Sequence, residues 1–109
     1  MNKCARKLPS LLMLFNNRCA WCHCDIRKPE KNEKIICRKG VGQMIRFKDA
    51  TGKVVTIGMA TVDHLIPKSK GGTDATYNLV PSCFGCNTRR NNGFAGVSRE
   101  SLVINAILA

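Results

Sequence analysis

The sequence holds no run of the roughly 20 apolar residues that a membrane-spanning helix requires, so a membrane partner is not expected. Aromatic residues are scarce, at 6% of 109. A domain of this length buries about 65% of the surface its unfolded chain would expose. With so few rings to fill the core, an additional cross-link is expected. Acidic residues are scarce too: 7 Asp+Glu stand against 18 Lys+Arg, a formal net charge of +11. That imbalance argues for a polyanionic partner, with nucleic acid first among the candidates. The basic residues are scattered rather than carried on one long amphipathic helix, which argues against a membrane surface. Internal repeats and low-complexity linkers are absent, so residues 1–109 read as a single domain.

A secretory leader is not expected either. Lys3, Arg6 and Lys7 precede the apolar run Leu8 to Phe15, but Pro9 and Ser10 interrupt that run and no small-x-small cleavage site follows. The segment reads as a short helix, Leu11 to about Asn16, with Ser10 as its N-cap.

Cysteine is what the chain has in abundance: Cys4, Cys19, Cys22, Cys24, Cys37, Cys83 and Cys86. Seven is odd, so a complete disulfide framework would leave one thiol over. Cys19/Cys22 and Cys83/Cys86 are each Cys-x-x-Cys, the spacing at which two thiolates reach one Zn²⁺, and two such pairs close a tetrahedral site. A closed site has no position for substrate water, so its role is structural and its compartment reducing. Cys22-x-Cys24 is an alternative chelating pair, with His23 between its members; the two-residue spacer of Cys19/Cys22 fits a knuckle turn better. Cys4 and Cys37 lack partners at ligand spacing and read as ordinary thiols. Trp21, inside the first pair, reads as packing against the knuckle.

Asp25 to Lys34 is polar and charged and reads as an exposed loop. From Ile35 the texture turns to β. Met44–Phe47 and Val54–Ile57 flank Asp49-Ala-Thr-Gly52, a hairpin turn with glycine where a positive φ is wanted. Thr61 to Ile66 reads as the next strand, Pro67 to Tyr77 as a loop with Gly71-Gly72 at its tip, and Leu79-Val80 as a short strand. Phe84 to about Asn91 reads as a short helix. Ser98 caps a last helix ending at Leu108, with Leu102, Val103, Ala106 and Ile107 on one face.

The stretch from Val62 to Asn92 carries the chemistry. Hydrolysis of a phosphodiester needs an activated water, an electrophile on the phosphate and stabilisation of the leaving 3′ oxygen, and a hard divalent cation supplies the last two. Asp63 and an Asn side chain offer the oxygen ligands such an ion requires. His64 has the pKa class of a base for water. Asp63 and His64 are neighbours on a strand, so their side chains leave opposite faces, and shared use demands a strand end that reaches the metal from both sides. Lys68, Lys70, Arg46, Lys48 and Lys53 would add affinity through counterion release.

The ordered combination Asp63-His64, Gly71-Gly72, Asn78-Leu-Val and Cys83-x-x-Cys86-Asn87 resembles the HNH endonucleases, and in particular small phage-type stand-alone members with a four-cysteine zinc knuckle. The resemblance implies a small α+β fold: a ββα-metal (His-Me finger) core over residues 60–92, a structural zinc knuckle from 19–22 with 83–86, an extra β-hairpin and short flanking helices. It implies a DNA endonuclease in which His64 activates water, Asp63 and Asn87 hold Mg²⁺ or Mn²⁺, and Asn78 orients the loop carrying His64. Asn91, one turn beyond Asn87, is the rival or accessory ligand, and Arg89 and Arg90 are candidates for gripping the phosphate backbone. The implied partner is double-stranded DNA, with a second copy of the chain or a phage packaging partner beside it, in the cytoplasm of a phage-infected bacterial host. The helix would lie near the backbone at the minor groove, and no helix carries a base-reading pattern, so nicking with low sequence specificity is expected. The competing reading is a non-catalytic zinc-stabilised nucleic-acid-binding module, which would not need Asp63, His64 and Asn87 as a set.

Overall fold

The computed structural model describes residues 3–39, 41–90 and 97–109. Its spine is one eleven-residue strand, β4 (Val54–His64), and every other strand but one pairs with it directly. The outlier is β2 (Lys34–Arg38), which pairs with β3 (Gly42–Lys48). The sheet order is β1 (Ile26–Arg27), β4, β3, β2, with β5 (Leu79–Cys83) joined to the far half of β4. β3 runs antiparallel to the first half of β4, from Lys48 against Val54 to Met44 against Gly58. β5 runs antiparallel to the second half, from Cys83 against Ala60 to Leu79 against His64. Helix α2 (Phe84–Arg90) follows β5 without a loop, so β4, β5 and α2 form a ββα unit, with α1 (Leu8–Leu14) and α3 (Arg99–Leu108) flanking it.

The small α+β fold expected from the sequence is the fold observed. The hairpin turn is as read: Asp49 Oδ1 accepts from the backbone N–H of Thr51 and Lys53 at 2.9 and 3.0 Å, and Gly52 sits at φ 85°. Ser98 caps α3, its hydroxyl accepting from Ser101 N at 3.1 Å.

Four boundaries differ from the expectations. The first helix begins at Leu8, after a 3₁₀ turn over Lys3–Lys7, rather than at Leu11, so Ser10 lies inside it and does not cap it; Pro9 falls in its first turn, where no N–H is needed and a fixed φ suits the helix. It ends at Leu14, and beyond its Phe15 cap Asn16 and Asn17, both at φ 57°, take a left-handed conformation that asparagine tolerates. Residues 25–34 are not one exposed loop. Ile26 is 1% exposed and pairs with Gly58, a two-residue strand too short to leave a periodic trace. The segments expected at 54–57 and 61–66 merge into one strand that stops at His64, because Gly58 pairs with Ile26 on one side and Met44 on the other and the ladder runs through it. The strand expected at Leu79-Val80 continues to Cys83, with all five residues buried. Within α3, Leu102 and Ala106 are buried but Ile107 is 56% exposed, so the covered face is narrower than its apolar pattern.

Among the described residues, three small clusters make the core. Leu8 and Leu12 of α1 pack with Cys19, Ile26, Ala60, Cys83 and Cys86. Phe15, Ala20, Leu65, Val80, Leu102 and Ala106 close the opposite end, while Leu11, Leu79 and Cys4 form a third group. The first contains three of the cysteines, so part of the cysteine cluster is set into the core itself. Among the described residues, no helix is long and apolar enough to cross a membrane.

Candidate active site and metal centres

The candidate site lies where β4 ends. Asp63 and His64 are its last two residues and find different partners, as strand alternation requires. Asp63 is 8% exposed, and its Oδ2 accepts from the Trp21 indole Nε1 at 3.0 Å. A buried carboxylate is costly without such a donor. The indole therefore ties Asp63 to the first cysteine turn and fixes the direction of the carboxylate.

His64 Nε2 lies 2.8 Å from Asp74 Oδ1. A carboxylate can only accept, so Nε2 carries the hydrogen and the lone pair of the neutral ring is on Nδ1. Asp74 is kept ionised: the hydrogen bond from His64, the ammonium of Lys68 at 2.9 Å from Oδ2, and Cys4 together hold its carboxyl well below the usual carboxylate range. Lys7 Nζ donates to the backbone oxygen of Asp74 at 2.6 Å, joining this loop to the N-terminal segment.

Asn78 clips the loop between the strands. Its Oδ1 accepts from Ile66 N at 2.8 Å, and its Nδ2 donates to Ile66 O at 3.0 Å and Thr73 O at 2.8 Å. The loop closes so tightly that a Cβ on Gly72 would stand 1.7 Å from Ile66 O, so only glycine fits. Asn78 thus spans the segment that delivers both His64 and Asp74, and it is 3% exposed.

Asn87, on α2, donates Nδ2 to Thr61 Oγ1 at 3.0 Å and to Val62 O at 3.3 Å. Thr61 and Asp63 leave the same face of β4, so Asn87 docks on the Asp63 side, and its amide oxygen is the atom a hard cation would take. Lys70 is exposed, as are Arg46, Lys48 and Lys53 on the hairpin. Lys68 is exposed but engaged with Asp74, and Arg89 donates Nη2 to Cys86 Sγ at 3.3 Å. Asn91 and the side chain of Arg90 lie outside the described residues.

The structure brings Cys19, Cys22, Cys83 and Cys86 together, with all four sulfurs within 4.8 Å of one another. Cys22 Sγ and Cys83 Sγ are 3.9 Å apart, close to the edge of about 3.8 Å that Zn–S bonds of about 2.3 Å give a tetrahedron. Trp21 N donates to Cys19 Sγ at 3.4 Å and Cys86 N to Cys83 Sγ at 3.3 Å, the donors that thiolate charge needs. Donation from Cys24 and then Cys83 holds the Cys19 thiol well below its ordinary value, whereas burial and the charge of Cys19 push Cys86 up. Four sulfurs gathered at this spacing, with backbone N–H groups directed at two of them, are compatible with zinc. Cys24 Sγ sits 3.3 Å from Cys22 Sγ, beside the quartet, and Cys37 is exposed on β2.

Two contacts escaped the sequence. Asp74 stands in a loop with no periodicity and is ten positions from His64, and the indole of Trp21 looked like packing although its N–H serves Asp63. The only sequence signal for Asp74 is an acidic residue in a basic, glycine-rich loop.

No curated protein and no solved structure matches the chain. Residues 49–93, which span β4, the clipped loop, β5 and α2, match the family model described as HNH endonuclease. Over that segment, less than half of its length, the chain is similar to the HNH endonucleases.

Proposed function

We propose that the chain is a metal-dependent endonuclease that hydrolyses phosphodiester bonds of double-stranded DNA, cutting one strand per event with little sequence preference. The observation that carries this reading is the Asp74–His64 hydrogen bond at the end of β4, held in place by the Asn78 clip. With Nε2 donating to Asp74, Nδ1 is the basic nitrogen of the neutral ring, the atom this reading assigns to water. His64 Nδ1 takes the proton from water, and Asp74 stabilises the imidazolium that results while preventing the ring from turning. Asp63 and Asn87 hold Mg²⁺ or Mn²⁺ through oxygen atoms, with Trp21 keeping the Asp63 carboxylate aimed. When bound, the ion supplies the electrophile on the scissile phosphate and offsets charge on the leaving 3′ oxygen. Lys70, Arg89, Arg90 and the hairpin cations Arg46, Lys48 and Lys53 attract the DNA backbone, and Lys68 contributes to the same field while holding Asp74. Cys19, Cys22, Cys83 and Cys86 hold a structural Zn²⁺ that ties the turn carrying Trp21 to the start of α2.

The test is cleavage of supercoiled plasmid by purified protein with Mg²⁺, Mn²⁺ or EDTA, alongside His64→Ala. Relaxed circles that require both the ion and His64 are expected. Full-rate cleavage by His64→Ala would overturn the mechanism. Salt-sensitive retention of plasmid without cleavage under either ion would leave only a zinc-stabilised binding module.

A further inference from the structure

The N-terminal 3₁₀ turn delivers Cys4, 2% exposed, to the same ring nitrogen that Asp74 holds. Cys4 Sγ lies 3.9 Å from His64 Nε2, and one ligand atom from each of Cys4, His64 and Asp74 falls within 4.8 Å of the others. We propose that these three side chains form a second, soft-metal site, separate from the four-cysteine knuckle and from the Asp63–Asn87 pair, at which Zn²⁺ or Co²⁺ binds and removes His64 from catalysis.

The ligand chemistry and spacing support it. Zinc bonds of about 2.0–2.3 Å place tetrahedral ligands about 3.3–3.8 Å apart. The sulfur and nitrogen, 3.9 Å apart, would close by a few tenths of an ångström, and Asp74 Oδ1, now 2.8 Å from Nε2, would move back by about half an ångström. One thiolate and one carboxylate balance a dication, the imidazole is the third donor, and a water takes the fourth position. Lys68 Nζ, 2.9 Å from the other carboxylate oxygen, is an outer partner of the kind that orients a ligating carboxylate. Mg²⁺, which demands oxygen ligands, has no reason to enter a site of sulfur, nitrogen and a single carboxylate.

The consequence for His64 follows from proton bookkeeping. Without metal, Nε2–H donates to Asp74 and the lone pair is on Nδ1. When the metal bonds to Nε2, the neutral ring keeps its proton on Nδ1, and Nδ1 is no longer a base. Cys4 loses its thiol proton to solvent on becoming a ligand. Burial raises that thiol, and it also donates toward Asp74, so it is protonated until a metal displaces the proton. The site thus makes the catalytic base sensitive to soft metal while leaving it available in Mg²⁺. This inhibitory consequence rests on the endonuclease reading, whereas the metal site does not.

The test begins with full-length protein carrying one equivalent of Zn²⁺, which the four thiolates claim first. Titration with Co²⁺ is then followed by thiolate-to-cobalt charge-transfer absorption. The wild type is expected to bind one Co²⁺ with that absorption, and Cys4→Ser none. Cobalt at Asp63 and Asn87 would give no such band, and exchange into the knuckle would give it equally in both proteins. Cys4→Ala is the second variant, and circular dichroism checks that both fold. In the plasmid assay with Mg²⁺, the Zn²⁺ concentration for half-inhibition should rise at least tenfold in the Cys4 variants. Identical cobalt spectra in wild type and variant would overturn the site, and they would do so even if the protein cleaved nothing. Equal zinc sensitivity in an active protein with the cobalt band would overturn the inhibition alone.

Discussion

Replacing Asn78 with alanine perturbs the loop between the two strands of the ββα unit with the least collateral change. The substitution removes three hydrogen bonds between a side chain that is 3% exposed and the backbone of Ile66 and Thr73. Each contributes a net of about 1 kcal/mol, and abandoned buried groups cost more. Ile66 is 40% exposed, so water can reach part of what is left behind, and the sum is about 2–3 kcal/mol. With a urea slope of about 1.5–2 kcal/mol/M for a domain of this size, the midpoint should fall by about 1–2 M at saturating zinc, with the slope unchanged. Because the same bonds fix where His64 and Asp74 meet, nicking should fall about 100-fold even where the protein is fully folded. Asn78→Asp sharpens the test. It is nearly isosteric and keeps the acceptor for Ile66 N, but it turns a carboxylate toward two carbonyl oxygens now at 3.0 and 2.8 Å. It should therefore be at least as damaging as alanine. A wild-type midpoint and rate for Asn78→Ala, or an Asp variant milder than the Ala variant, would refute the clip.

Trp21→Phe keeps the ring that packs on the core but deletes the donor to Asp63, a bond to a buried carboxylate worth about 1.5–3 kcal/mol. The Mg²⁺ concentration for half-maximal nicking should rise about tenfold, read by metal titration. Asp74→Asn should slow nicking at saturating DNA with little change in DNA affinity, and Asp74→Glu should recover part of the rate; a rate for the Asn variant equal to wild type would remove Asp74 from the site. Stripping zinc with a strong chelator, or changing Cys86 to Ser, should collapse the fold and shift Trp21 fluorescence, because three of the four sulfurs lie within the largest core cluster. Gly72→Ala should destabilise by more than about 2 kcal/mol in thermal unfolding, since the backbone must open to admit a Cβ otherwise 1.7 Å from Ile66 O.

What the sequence made legible was what is encoded in short spacings. Cys-x-x-Cys, the Asp-His pair, the Asp49-Ala-Thr-Gly52 hairpin turn and the Ser98 cap each act within a few residues, and each is where its spacing put it. The extent of β4 was not legible, because a glycine in mid-strand reads locally as a break while the ladder on both sides holds it in register. Nor was β1, since two residues carry no period and Ile26 is buried by partners thirty positions away.

The same division runs through the site. His64, Asp63, Asn78 and Asn87 carry motif spacing, but the groups that set their chemistry do not: Trp21 is 42 positions from Asp63, and Cys4 is 60 from His64. These long contacts share one cause. The knuckle fixes the turn bearing Trp21 against β5 and α2, and α1 lies on the same core, so both N-terminal arms are brought to the end of β4 by packing rather than by local sequence. A metal held by the four cysteines would therefore be linked to Asp63 through the Trp21 indole, 42 positions away in sequence but one hydrogen bond away in space. If that linkage holds, partial loss of knuckle zinc should weaken Mg²⁺ use before the domain unfolds. A protein that keeps its wild-type Mg²⁺ dependence up to the point of global unfolding would show that Asp63 is aimed by β4 alone.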